Sequence, residues 1–276
     1  MGLIALPVGL RAVAPVDLDR RWREIEAASG GRLGVAMLDT GSGKRSAYRA
    51  DERFPMCSTF KPLAVAAVLA RVDRGVEKLD RRIPFGKADL LDYAPVTTAR
   101  VGEGGMTLAD LCEAAITVSD NTAANLILAT YGGPAGLTEY LRSIGDPTTR
   151  LDRFELELNE ARPGDPRDTT TPAAMVSTMQ VLLLGDALST ASRERLIGWL
   201  VANKTGNERL RAGLPAGWRA GDKTGTGYRG TTNDVAIVWP PNRAPLLIAA
   251  YLTETEATSE ARNATIASVG RVVAGL

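Results

Sequence analysis

A short stretch near residue 60 constrains the fold more than any other part of the sequence. Residues 63–70 are apolar at every position, and a helix that is apolar on all sides belongs inside a protein core. Because Pro62 lacks an amide hydrogen, it fits the first turn of a helix, so we expect the helix to begin near Thr59. This helix is therefore predicted to be surrounded by other elements of the fold.

Two polar side chains stand at the start of this buried helix. Ser58 and Lys61 share one face of its first turn. Desolvation lowers the pKa of a buried lysine and lets it accept a proton, so a hydroxyl beside it can become a nucleophile. A surface serine and lysine at a helix start would give the same pattern, because Ser-x-x-Lys occurs by chance roughly once in a chain of this length.

The sequence contains no histidine. This excludes Ser-His-Asp and Cys-His catalytic arrangements, and also zinc or iron sites built on imidazole. A base that works near neutral pH must then be a carboxylate or a lysine with a shifted pKa. The two cysteines, Cys57 and Cys112, could form one disulfide, but we expect them to be buried and reduced. We expect no metal and no cofactor.

Charge and hydropathy exclude several partners. The net charge is +1 and the chain has no basic run, which argues against nucleic acid or an anionic membrane as a partner. No stretch reaches the roughly 18 unbroken apolar residues of a transmembrane helix. Residues 1–15 are apolar but lack the basic start of a secretory signal, so they are interpreted either as a remnant of an export signal or as a disordered tail.

The two ends of the chain and its middle differ in pattern. Both ends carry helix and strand patterns, with strands joined by turns, whereas the middle is mainly helical. This predicts an α/β fold of the α+β type, with an antiparallel sheet built from both termini and flanked by helices. We expect residues 16–55 and 210–276 to form that lobe and residues 56–209 to form an inserted helical lobe. The active site would lie between the two.

Further polar motifs lie in the helical middle and in a late strand. Ser119-Asp120-Asn121 falls at a junction between helices, where such residues are also ordinary helix caps. Lys-Thr-Gly occurs twice: Lys204-Thr205-Gly206 is typical of a helix end with a solvated lysine, whereas Lys223-Thr224-Gly225 lies in a strand. A strand edge with small residues and one lysine suits a ligand that carries a carboxylate and an amide.

Residues 150–168 are charged, contain prolines and a glycine, and have the length of an Ω-loop. With this segment the chain resembles the class A serine β-lactamases. The motifs that carry the resemblance are, in chain order, Ser58-x-x-Lys61, Ser119-Asp120-Asn121, Glu155-x-x-Leu158-Asn159 and Lys223-Thr224-Gly225. The resemblance runs from about Asp17 to the C-terminus, and the four motifs together are specific although each alone is not.

The resemblance implies the chemistry of the site. Ser58 would attack the lactam carbonyl and become acylated, while the backbone N–H groups of Ser58 and Thr226 would form an oxyanion hole. Glu155, held by Asn159, would activate a water for deacylation. Either Glu155 or Lys61 would deprotonate Ser58 in acylation, and the resemblance leaves both open.

The resemblance also implies how substrate is bound. Ser119 would pass a proton to the departing ring nitrogen, and Asn121 would bind the side-chain amide of the antibiotic and help to position Lys61. Arg209 would add a cation for the substrate carboxylate, because Thr232 occupies the strand position at which other members carry arginine. The strand residues that would contact the substrate are Lys223, Thr224, Gly225 and Thr226.

Tyr93 is expected to border the mouth of the site, although a loop aromatic that covers core would give the same pattern. Arg153 and Asp168 are expected to pair and to clamp the two ends of the Ω-loop. Family members often have proline after the catalytic glutamate, in a cis peptide. Here the residue is Leu156, and we expect the Glu155–Leu156 bond to be cis nevertheless.

Some relatives carry disulfides that this sequence does not allow. Gly227 occupies the strand position that bridges to the residue matching Cys57, and Val65 occupies the position that bridges to the residue matching Cys112. We therefore expect no disulfide.

The expected activity is hydrolysis of penicillin- and cephalosporin-type antibiotics by a monomer that is secreted or periplasmic. Two other functions share these motifs: a penicillin-binding D,D-peptidase or transpeptidase, and a penicilloyl-sensing domain that is acylated once. Both lack a base for deacylation, so Glu155 with Asn159 favours the hydrolase.

Overall fold

Residues 17–276 are described in a computed structural model, and the predicted tail, residues 1–15, lies outside these described residues. The helices of this part of the chain are α1 Leu18–Ser29, α2 Lys61–Asp73, α3 Leu108–Thr117, α4 Asn121–Ala129, α5 Gly133–Ser143, α6 Pro172–Leu183, α7 Thr190–Val201 and α8 Ser259–Ala274. The strands are β1 Arg32–Asp39, β2 Arg45–Tyr48, β3 Phe54–Pro55, β4 Arg82–Ile83, β5 Met106–Thr107, β6 Thr169–Thr170, β7 Arg219–Thr226, β8 Thr232–Trp239 and β9 Leu246–Thr253.

The main sheet joins the two ends of the chain. Its strand order is β2-β1-β9-β8-β7, and every neighbouring pair is antiparallel. At one end of the β1–β9 pair, Arg32 lies opposite Thr253. The predicted α/β fold with an antiparallel sheet made from both termini is therefore confirmed.

Helices cover both faces of this sheet. The side chains of Leu246, Ile248 and Leu252 in β9 pack in one cluster with residues of α1 and α8. The alternate residues Leu247 and Tyr251 belong to a second cluster, which contains the helical middle of the chain. Because successive residues of a strand point to opposite faces, every position of β9 is buried. The lobe boundaries at residues 55 and 210 stay a prediction.

The central helix is buried as predicted, but it begins slightly later. All residues from Lys61 to Ala70 are buried, and Pro62 lies in the first turn of α2. A 3-10 turn, Cys57–Phe60, precedes the helix, so Thr59 belongs to this tighter turn rather than to α2. The Lys61 N–H donates to the Ser58 carbonyl, which joins the turn to the helix. This junction carries Ser58 and Lys61 into the cleft.

Side-chain caps open two of the helices. The Thr107 hydroxyl accepts from the Asp110 N–H at 3.1 Å and opens α3. Thr171 caps α6 in the same way, with Pro172 as the first helical residue. Among the helices of residues 17–276, none combines the length and the apolar composition needed to cross a membrane.

Candidate active site

Ser58 and Glu155 meet in a buried cleft next to the start of α2. Ser58 is 9% exposed and Glu155 is 4% exposed. The Ser58 Oγ lies 3.4 Å from the Glu155 Oε1, although the two residues are far apart in the sequence. A hydroxyl is thus placed against a carboxylate that could take its proton.

Lys61 lies at the centre of the polar contacts. Its Nζ is 3.2 Å from the Glu155 Oε1 and donates to the Asn121 Oδ1 at 2.7 Å and to the Ser119 carbonyl at 2.8 Å. Burial lowers the pKa of Lys61, while the negative charge of Glu155 acts in the opposite sense. The amine and the carboxylate therefore form a buried pair within reach of a shared proton.

The Ser119 hydroxyl lies between two lysines. Its Oγ accepts from Lys61 Nζ at 3.2 Å and from Lys223 Nζ at 2.9 Å. Burial lowers the pKa of Lys223 well below its ordinary value, and the nearby charge of Lys61 adds to this effect. The structure thus brings the first, second and fourth sequence motifs together around one hydroxyl.

A cap on α4 positions Ser119 and Asn121. The buried Asp120 carboxylate accepts from the Ala123 N–H at 2.9 Å and from the Thr97 N–H at 2.9 Å. Asp120 is thus a helix cap, as the sequence alternative had it, and at the same time it fixes the two flanking residues in the cleft. The Asn121 N–H donates to the Tyr93 carbonyl at 3.1 Å, so Tyr93, 61% exposed, lies beside the site.

The Ω-loop presents Glu155 through two asparagines. The Asn159 Nδ2 donates to the Glu155 Oε2 at 2.6 Å. Asn125 of α4 binds both backbone groups of Glu155: its Oδ1 accepts from the Glu155 N–H and its Nδ2 donates to the Glu155 carbonyl, each at 2.9 Å. The Glu155–Leu156 peptide bond is cis, which confirms that prediction.

Arg153 and Asp168, predicted to clamp the ends of the Ω-loop, form an ion pair. The Arg153 Nε donates to the Asp168 Oδ2 at 2.7 Å, and the Asp168 carboxylate also accepts from the N–H groups of Asp152 and Arg153. The Asp168 side chain is 1% exposed. Because this carboxylate is buried and fully hydrogen-bonded, it ties the start of the loop to its end.

Arg209 reaches the predicted substrate strand β7. Its guanidinium donates to the Gly225 carbonyl at 2.9 Å, to the Asn233 carbonyl at 2.8 Å and to the Thr226 Oγ1 at 2.7 Å. Burial lowers the pKa of Arg209, and the negative charge of Asp234 opposes that effect. The cation is therefore held behind the edge of β7 where Thr224 and Thr226 lie.

Thr232, at the strand position where other family members carry arginine, contacts an arginine from another element. The Arg262 Nε, from α8, donates to the Thr232 Oγ1 at 3.0 Å. A second guanidinium thus approaches this end of the sheet from another element. The sequence reasoning missed Arg262, because the register between α8 and β8 cannot be read from local patterns.

Both cysteines are free and buried. A Cβ atom built at Gly227 would lie 2.6 Å from the Cys57 Sγ, so the absence of a side chain at Gly227 is what leaves room for the thiol. Burial raises the pKa of the Cys57 and Cys112 thiols, which makes them poor nucleophiles.

Sequence reasoning also missed residues that support the site. Thr205, in the first Lys-Thr-Gly, shares a 2.6 Å hydrogen bond with Thr224 of the second, whereas its neighbour Lys204 is exposed as predicted. Asn125 could have been found, because it lies four residues after Asn121 on the same helix face. Thr205 could not, because only the tertiary fold brings the two motifs together.

Sequence comparison gives one family. The chain matches the β-lactamase enzyme family over residues 17–275. It is 52% identical to the β-lactamase AST-1 of Nocardia asteroides over 272 residues, which are 99% of this chain and 87% of that protein. It is 48% identical to the β-lactamase CTX-M-8 of Citrobacter amalonaticus over 257 residues, which are 93% of this chain and 88% of that protein.

Structural comparison agrees. An ancestral class A β-lactamase (GNCA) is 68% identical, with a TM-score of 0.93 over 94% of this chain and 99% of that one. A putative class A β-lactamase, PenP, from Rhodopseudomonas palustris is 61% identical, with a TM-score of 0.92 over 94% of this chain and 98% of that one. With the fold, the four motifs and both kinds of comparison in agreement, the chain belongs to the class A β-lactamase family.

Proposed function

We propose that this chain hydrolyses the β-lactam ring of penicillin- and cephalosporin-type antibiotics through an acyl-enzyme on Ser58. The observation that carries the proposal is the position of Glu155, whose carboxylate lies 3.4 Å from the Ser58 Oγ and is oriented by Asn159 and Asn125. A carboxylate held in this way can accept a proton first from a hydroxyl and afterwards from a water.

In acylation, the Ser58 Oγ attacks the lactam carbonyl carbon and loses its proton. The direct contact between Ser58 and Glu155 favours Glu155 as the first acceptor of that proton, with Lys61 adjacent at 3.2 Å. When the ring C–N bond breaks, the ring nitrogen takes a proton from the Ser119 hydroxyl. Ser119 is replenished through Lys61 or Lys223, both of which contact its Oγ.

In deacylation, Glu155 removes a proton from a water that attacks the ester carbonyl, and Ser58 regains its hydroxyl. The Asn159 Oδ1 is buried and accepts no hydrogen bond from the described residues. It is therefore available to orient that water. The backbone N–H groups of Ser58 and Thr226 stabilise the oxyanion in both steps.

Substrate would be held along the edge of β7. The buried Lys223 and the half-buried Arg209 lie near Thr224, Gly225 and Thr226, and they would supply positive charge for the substrate carboxylate. Asn121 can offer its amide to the side chain of the antibiotic, and Tyr93 borders the entrance. On the pattern of the family, we propose a monomeric, secreted or periplasmic enzyme.

The experiment is to mix the full chain with a chromogenic cephalosporin and to follow the absorbance. We expect continuous hydrolysis over many turnovers, and a Ser58→Ala variant should show none. A single burst equal to the enzyme concentration, with a stable covalent adduct by mass spectrometry, would instead indicate a transpeptidase or a penicilloyl-sensing domain.

A further inference from the structure

A cavity of about 260 Å³ lies at the C-terminal end of α2, opposite the end that carries Ser58. It opens between α2 and α5. Its walls include Arg71 of α2, Arg74 at the C-cap of α2, Tyr140 of α5 and Tyr131, which comes just before α5. We refer to it as the Arg71 cavity. None of these residues belongs to the proposed catalytic cleft.

The two arginines bring positive charge to the cavity without an ion-pair partner among the described residues. Neither Arg71 nor Arg74 forms an ion pair within residues 17–276. Arg74 donates through its Nε to the Ala70 carbonyl at 3.2 Å, which is an ordinary helix-end contact. Arg71 makes no hydrogen bond to the described residues through its Nε, although that atom is buried.

Three carboxylates near the cavity form no ion pair with either arginine. Glu77 binds Arg81 through two hydrogen bonds of 2.7 and 2.6 Å. Asp73 accepts from the hydroxyls of Ser189 and Ser192, each at 2.6 Å. Glu139 lines the cavity but is exposed. The charged residues that line the Arg71 cavity are thus two arginines and one glutamate, and this excess of positive charge favours an anion.

A buried phenol points to the same place. The Tyr140 hydroxyl is buried and has no hydrogen-bond partner among the described residues, whereas the Tyr131 hydroxyl donates to the Ala64 carbonyl at 3.2 Å. Buried polar atoms without a partner are rare in native proteins, because each costs about 1–3 kcal/mol. Two of them, on Arg71 and Tyr140, border one cavity, where a water or an anion could accept a hydrogen bond from both.

We propose that the Arg71 cavity binds a small oxyanion, either inorganic phosphate or the carboxylate of a small organic acid. The guanidinium of Arg71 supplies planar donors that match the oxygens of either group. The Tyr140 hydroxyl donates a further hydrogen bond, and the Tyr131 and Tyr140 rings provide apolar walls for an organic body. This site is independent of β-lactam turnover.

The test is a titration of the ¹⁵N-labelled full chain, at constant ionic strength, with inorganic phosphate in one series and benzoate in the other. The amides of Gly136 and Tyr140 report on the Arg71 cavity, and those of Gly225 and Thr226 report separately on anions in the catalytic cleft. We expect saturable shifts at Gly136 and Tyr140 with at least one of the two anions. The anion that binds more tightly identifies the source.

Variants then assign the binding groups. Arg71→Gln should raise the dissociation constant of the anion, measured from the Gly136 amide shift, by about tenfold or more, because it removes a charge-assisted hydrogen bond. The matched control is Arg23→Gln, because Arg23 is an exposed arginine of α1 whose Nε binds only a backbone carbonyl. This variant should leave the dissociation constant unchanged. Both variants should retain hydrolysis of a chromogenic cephalosporin, which shows that they are folded.

Tyr140→Phe provides a test that does not depend on charge. Without added anion, its melting temperature should equal or exceed that of the parent chain, because it removes an unpartnered buried hydroxyl. With the tighter-binding anion, the parent chain should gain more thermal stability than Tyr140→Phe. If Gly136 and Tyr140 do not shift, or shift equally in Arg71→Gln, the arginines serve only the end of α2 and the proposal is wrong.

Discussion

The two walls of the cleft each contain a buried lysine, but the partners of the two lysines differ. On the helical wall, Lys61 has a carboxylate partner, because Glu155 lies 3.2 Å from its Nζ. On the sheet wall, Lys223 contacts only the Ser119 hydroxyl and a backbone carbonyl, at 2.9 and 2.8 Å, among the hydrogen bonds of the described residues. Both side chains are 0% exposed.

This difference corresponds to a division of tasks. An amine paired with a carboxylate can exchange a proton without changing the net charge of the wall, which suits repeated proton transfer. An amine without a carboxylate partner is either a cation or a base that is readily protonated. An anionic substrate can then form an ion pair with it. The helical wall is thus suited to chemistry and the sheet wall to recognition of the substrate carboxylate.

The largest expected effect comes from breaking the pair on the helical wall. Glu155→Gln should lower kcat by about 10³-fold, because the general base of deacylation is lost. Mass spectrometry should then detect an accumulated acyl-enzyme. Glu157→Gln, which changes an exposed glutamate of the same loop, is the control. Turnover of Glu155→Gln within tenfold of the parent chain would refute the assignment.

The sheet wall can be tested with its duplicate motif. Lys223→Met should lower kcat/KM by roughly 10- to 100-fold, because it removes a charge-assisted contact to the substrate carboxylate. Lys204→Met changes the exposed lysine of the other Lys-Thr-Gly and should have no effect. With a substrate whose carboxylate is esterified, the deficit of Lys223→Met should shrink. If Lys223→Met lowers kcat/KM equally for the esterified and the free substrate, Lys223 does not bind the carboxylate.

The clamp of the Ω-loop should affect the helical wall alone. Arg153→Gln should slow deacylation by about tenfold and acylation by less, because a displacement of Glu155 by about 1 Å is enough to misalign the water. Stopped-flow kinetics separate the two steps. Arg167→Gln, which loses a surface ion pair with Asp165, should change neither. Equal slowing of both steps by Arg153→Gln would contradict the clamp.

The smallest effect is on stability, and its pH dependence distinguishes the walls. Burial lowers the pKa of Lys223 in the folded state below its ordinary value of 10.5, so between these two pKa values the unfolded chain binds more protons. Stability therefore rises with pH across that window, and the penalty for burying the charge is largest below the folded pKa.

Lys223→Met removes this penalty. The variant should exceed the parent chain in free energy of unfolding by about 1–3 kcal/mol at low pH, and the advantage should fall as the pH approaches 10.5. Urea unfolding between pH 6 and pH 9.5 measures it, with Lys204→Met as a pH-independent reference. An advantage that grows with pH would reverse the sign and refute the assignment of a lowered pKa.

The roles of the site residues were predicted from the resemblance, and local geometry accounts for part of their arrangement. Ser58 with Lys61, and Asn121 with Asn125, lie on helix turns whose spacing fixes which side chains share a face. For these pairs, short-range geometry determines the contact. The pairing of Arg153 with Asp168 was expected on the resemblance.

Other contacts depend on how distant elements are packed. Arg262 reaches Thr232 only because of the position of α8 against β8, and Thr205 reaches Thr224 only because α7 ends beside β7. The delayed start of α2 has a local cause that periodicity does not detect, namely the 3-10 turn Cys57–Phe60. The pattern of apolar residues predicts a helix but not the tighter turn that precedes it.

The pairing of β1 with β9 has a consequence for the order of folding. Arg32, near the start of the described residues, has Thr253 as its partner, so β1 lacks its β9 neighbour until the chain has been made as far as residue 253. Pairings between such distant segments slow the search for the native state and leave apolar edges exposed meanwhile. A nascent chain that stops before residue 246 lacks β9 and cannot form this sheet.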